Sequence, residues 1–141
     1  MIPRFRAWNK ATKEMYGADD IIAINFEEKE ICVQTIYFEQ GLPDSRDLDY
    51  YDFDDIVLMQ STGMRDKNDR EIFEGDILKV TNLSSWLEVV SFNENKAMFV
   101  SKETKREVEE TPLYDLFNTD IFEVEIIGSI YTNPELAEVN S

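Results

Sequence analysis

The chain has 141 residues, 43% hydrophobic and 12% aromatic, enough apolar material to bury a core and too much for intrinsic disorder. Thirty acids against fourteen bases give a net charge of −16, a surface that repels phosphate backbones and argues against direct nucleic-acid binding. There is no histidine and one cysteine, Cys32. The commonest general base and metal ligand is therefore missing, and an intramolecular disulfide is excluded.

No apolar run approaches the roughly 18 residues of a membrane span, and the opening Met-Ile-Pro-Arg-Phe-Arg lacks the apolar core of a secretion signal. A cytoplasmic protein with no membrane partner is expected. Residues 5–8 and 14–16 predict two short strands around the turn Asn9–Lys13. Arg4, Arg6, Lys10 and Lys13 with Phe5 and Trp8 form the one local cue for nucleic acid. The alternation there reads better as an amphipathic strand whose bases pair with the surplus acids. Residues 21–26 predict a strand, and Glu27-Glu28-Lys29 a charged turn. Across 30–39 two apolar sets interleave, Ile31, Val33 and Tyr37 with Cys32, Ile36 and Phe38, predicting a strand covered on both sides. Cys32 acts there as a small hydrophobe.

Gly41-Leu42-Pro43-Asp44 breaks that strand. From Asp44 to Asp55, six aspartates are interleaved with Tyr50, Tyr51 and Phe53. Poor strand and helix propensity predicts a loop here. Its residues Asp44, Asp47, Asp49, Tyr50, Tyr51, Asp52, Asp54 and Asp55 make the candidate interaction surface. Ile56–Met59 returns as a buried strand. Counted from Asp66, a calcium loop needs glycine at its sixth position and an acid at its twelfth, where Glu71 and Ile77 stand. A turn on Asn68-Asp69 is the better reading. Glu74, Gly75 and Asp76 bring two acids to a strand entrance, a weak signal for a carboxylate metal site. Strand-like runs follow at 77–81, 87–92, 97–101, 107–109 and 121–131, with a tight turn at 93–96. Thr111-Pro112 predicts an N-cap and first residue for a helical turn over 113–117. Five short strands predict a small barrel, because closure removes exposed edges. The fold class is mainly β: an N-terminal β-rich subdomain over 1–60, a barrel over 61–136 and a frayed tail over 137–141.

Three ordered motifs carry a resemblance. Met59-Gln60-Ser61-Thr62-Gly63-Met64-Arg65-Asp66 runs on to Glu74-Gly75-Asp76, with Phe5-Arg6-Ala7-Trp8 before it and Ile127-Gly128-Ser129-Ile130-Tyr131-Thr132-Asn133-Pro134-Glu135-Leu136 after it. Together they resemble the YopX-like family, found largely in bacteriophages and prophages. Asn9 stands where relatives usually have Asp, and Asp69 where a turn glycine is usual. The resemblance implies that the C-terminal barrel is SH3-like, and it brings no assigned activity.

The leading expectation is a non-catalytic interaction module whose partner is a phage or host protein, or a further copy of itself in a homo-oligomer. A second reading is an acidic mimic of DNA that inhibits a host nucleic-acid enzyme, its six aspartates continued by Glu107, Glu109 and Glu110. A third is a carboxylate-based, metal-dependent hydrolase. No catalytic, metal-binding or cofactor residue is assigned, and no cofactor is expected.

Overall fold

The computed structural model describes residues 2–138 and divides the chain into two compact units, one spanning Ile2–Met59 and the other beginning at Gln60. The protein is mainly β, built on three antiparallel sheets.

In the first unit, β1 (Phe5–Asn9) and β2 (Glu14–Tyr16) form an antiparallel hairpin with Ala7 opposite Tyr16. Asn9 organises the turn. Its Oδ1 accepts the N–H groups of Ala11 and Thr12, and its Nδ2 donates to the Tyr16 hydroxyl at 3.0 Å. An aspartate would accept the same two amides but could not donate to Tyr16. β3 (Ile21–Asn25), β4 (Glu30–Glu39) and β5 (Leu42–Asp52) form a three-stranded sheet in that order. A 3-10 turn over Phe53–Asp55 leads to β6 (Ile56–Arg65), whose first residues belong to this unit. The core is Ala7, Ile31, Val33 and Ile56, with Tyr16, Ile21, Ile24, Tyr51, Phe53 and Leu58 packed around it.

In the second unit, the rest of β6 pairs with β7 (Glu71–Phe73), Ser61 opposite Phe73 and Arg65 opposite Glu71. A five-stranded antiparallel sheet follows: β8 (Asp76–Asn82), β9 (Ser84–Asn93), β10 (Met98–Glu103), β11 (Thr111–Pro112) and β12 (Glu123–Ser129), ordered β11-β10-β9-β8-β12. The meander returns its last strand to β8, so the sheet curls as half of a barrel. Its core is Ile72, Leu78, Val80, Val90, Leu113, Leu116 and Val124. The helix α1 (Pro134–Ala137) is the last described element. Gly128 sits where an added Cβ would overlap the Asn133 side chain, so the approach of that segment to β12 requires glycine.

Several expectations need correction. The aspartate-rich segment is not a loop: residues 42–52 are an eleven-residue strand, because pairing with β4 along its length overrides poor propensity. β4 is covered only over Ile31–Val33, and Thr35–Glu39 is exposed. Residues 107–109 are not a strand; the short β11 lies at 111–112 instead. Thr111 does not cap the following turn, a 3-10 turn over Leu113–Leu116 entered from Pro112. The last strand is shorter than expected, and a bulge between Ile126 and Gly128 takes Ile127 out of the alternation. Ala137 closes α1 rather than opening a frayed tail, and 139–141 lie outside the described residues.

Candidate interaction surfaces

The β4–β5 hairpin extends well past the core it grows from. Register pairs Ile31 with Tyr51, Val33 with Asp49, Thr35 with Asp47 and Tyr37 with Ser45 on one face. The other face carries Cys32 with Tyr50, Gln34 with Leu48, and Ile36 with Arg46. Asp44 is the extra residue of a bulge between Tyr37 and Phe38, and beyond it Phe38 pairs with Pro43. Only the base of the hairpin is buried. Toward the tip Phe38 and Leu42 are 64% and 70% exposed, and Tyr50 is 62% exposed. These large apolar side chains are left in water along one element.

The predicted interaction residues meet different fates. Asp47 and Asp49 share one face, and Tyr37 donates its hydroxyl to Asp47 Oδ2 at 2.9 Å. That hydrogen bond, with the Asp47 charge, holds the Tyr37 hydroxyl above its usual pKa. Asp52 belongs to the opposite alternation, Asp44 lies in the bulge, and Asp54 and Asp55 sit in the 3-10 turn. The six carboxylates therefore do not line one elongated face, as a duplex mimic requires. Tyr50 is exposed, but Tyr51 turns into the core and stacks on Tyr16 at 5.5 Å. The Tyr16 hydrogen bond and then burial push the Tyr51 hydroxyl up to about 12. Sequence reasoning passed over Leu48, although the period-two run Asp47-Leu48-Asp49-Tyr50 was its signal.

In the second unit the acids that invited a metal reading have structural partners. Asp76 is buried and its Oδ2 accepts the Phe73 N–H at 2.8 Å, while Glu74 Oε1 accepts the Gln60 N–H. Asp66 is also buried; its Oδ1 accepts the N–H groups of Asn68 and Arg70, and its Oδ2 that of Ile126. Burial pushes this carboxyl up, but the three backbone N–H groups and the Arg70 guanidinium outweigh it and hold it below the usual range. Among the described residues, no three acids or cysteines gather as a metal site would need.

The second unit also carries an open groove of about 280 Å³ lined by Thr62, Met64, Met98, Phe99, Pro112, Leu113 and Tyr114. Leu113 forms a buried floor, Phe99 is braced edge-on by Phe92 at 5.1 Å, and Tyr114 stands 60% exposed at the rim. No carboxylate lines it, on a chain that carries thirty.

These features define a mainly β protein with apolar side chains exposed on each of its two units. The chain belongs to the YopX family: it matches the family described as YopX protein over residues 4–138. It is similar to the crystal structure of protein EF1440 from Enterococcus faecalis, with 25% identity over 98% of this chain and 99% of that one, and a TM-score of 0.63. No curated protein matches it. No helix among the described residues is long and apolar enough to cross a membrane.

Proposed function

We propose that this YopX-family chain is a non-catalytic protein-interaction module of bacteriophage or prophage origin, acting on a phage or host protein. The observation that carries the reading is the carboxylate-free groove around Met64, Met98, Phe99, Pro112 and Tyr114. Methionine adapts its shape to varied apolar partners, and an exposed tyrosine beside proline supplies a rigid amphipathic anchor. The strand order β11-β10-β9-β8-β12, with a 3-10 turn before the final strand, agrees with an SH3-like barrel. Barrels of that kind often act as binding modules, an analogy of fold that adds little alone. The groove is the better argument, because it concentrates apolar area on an otherwise acidic surface.

The test is photocrosslinking from a benzophenone side chain at position 114, followed by mass spectrometry of captured proteins from phage-infected cells. A discrete partner lost in the Met98→Glu variant, with the cooperative melt retained, is the expected result. Capture that is the same in wild type and variant would remove the groove as the contact site.

A further inference from the structure

We propose that the open edge of β5 is a strand-addition site for an extended segment of a partner protein in which basic and apolar residues alternate. The inference deepens the interaction-module reading by naming the partner's chemistry, and it uses a different surface from the groove.

Three observations carry it. First, β5 ends the order β3-β4-β5, and among the described residues no strand lies on its outer side. Every second residue of an edge strand points its N–H and C=O groups away from its neighbour, a template for another chain. Second, the two faces of that edge differ in chemistry. Asp47 and Asp49 lie on one face, and Leu48 and Tyr50 on the other with Ile36 beside them. An added strand repeats the same alternation, so its side chains beside Asp47 and Asp49 are best cationic and those beside Leu48 and Tyr50 best apolar. Third, the usable run is bounded. Toward the tip, Pro43 has no N–H and the Asp44 bulge breaks the register; toward the base, Tyr51 turns into the core. Ser45–Tyr50 remains. Arg46 shares the face of Leu48 and Tyr50, where its Nη1 donates to Gln34 Oε1 at 3.1 Å.

Two other occupants fit the edge less well. A second copy of β5 paired about a two-fold axis at Leu48 sets Asp47 opposite Asp49 twice, which like charges oppose. Nucleic acid brings a backbone of the same sign as the edge.

The test uses the full chain and two labelled ten-residue peptides of identical composition. In one, lysine alternates with isoleucine or valine; in the other, the lysines form a single block. Binding is followed by fluorescence anisotropy, and amide hydrogen exchange locates the contact. The alternating peptide is expected to bind at least tenfold more tightly than the blocked one, to lose at least tenfold affinity in Asp47→Asn/Asp49→Asn, and to slow exchange within 45–50. Equal binding of the two peptides, unchanged affinity in the double variant, protection confined elsewhere, or no binding would each overturn the proposal. The Met98→Glu variant separates the two readings. It leaves this peptide binding unchanged if the edge is the site, so failure of the groove and failure of the edge register in different measurements.

Discussion

Two neighbouring tyrosines show how one residue step on a strand changes what a side chain does. Tyr51 packs against the core and stacks on Tyr16, while Tyr50 faces water. Tyr51→Ala is therefore expected to cost about 2 kcal/mol, less than the truncation of a fully buried aromatic. Tyr50→Ala should stay within about 0.5 kcal/mol, as surface changes usually do. Urea unfolding at neutral pH measures both, and equal losses would mean that the register of β5 is wrong. Asp66 makes a second residue-scale prediction. It joins the turn after β6 to β12 through three backbone N–H groups. Removing the carboxylate strands these donors at about 1–3 kcal/mol each where water cannot reach them. Asp66→Ala should lose roughly 3 kcal/mol. Because its pKa is lowered in the folded protein, the Asp66 contribution is complete above the unfolded value of about 3.9 and fades as pH falls toward the folded value. Wild type should thus lose more stability than Asp66→Ala between pH 5 and pH 3 (both rough bounds for this window). Parallel acid titrations of the two proteins decide it.

Among the elements, the hairpin β4–β5 divides into a structural base and a solvent-exposed outer half. Excising residues 36–46 and closing the strands with Asn-Gly removes few buried groups, because that stretch is exposed throughout. The shortened chain is expected to keep a cooperative melt, within about 1 kcal/mol of the parent after the loop change. Loss of folding on calorimetry would show that the outer half supports the core. The hairpins around 9–13 and 93–96, and the strands β3, β8, β9 and β10, were legible in the sequence, because alternating apolar residues sat between turn residues. β5 was not. Its Pro43, Ser45 and alternating aspartates have poor strand propensity, and what holds them extended is a partner strand that local reading does not supply. The groove was equally hidden: Met64, Met98 and Tyr114 come from three separate segments, and only the fold assembles them. The bulge at Ile126–Gly128 left no mark in an alternation that read as continuous.

At the scale of the whole molecule, charge dominates. The ion pairs seen among the described residues are mostly between exposed partners, such as Arg4–Asp19 at 3.1 Å and Lys67–Glu125 at 3.3 Å, and contribute little. Most of the thirty acids repel one another across the surface, and salt screens this with a Debye length of about 10 Å at 0.1 M. The melting temperature should rise between low and moderate NaCl. A falling curve in differential scanning calorimetry would mean that attraction, not repulsion, governs the folded state. The extended hairpin has one more consequence. Arg46 is the only basic residue between Lys29 and Arg65, and it lies within a paired strand, opposite Ile36. A protease that cuts after arginine needs a length of free, unpaired chain, so its cleavage at this one bond clocks how often β4 and β5 part. Trypsin in brief exposure thus turns the hairpin into its own gauge, and a bound strand slows the clock.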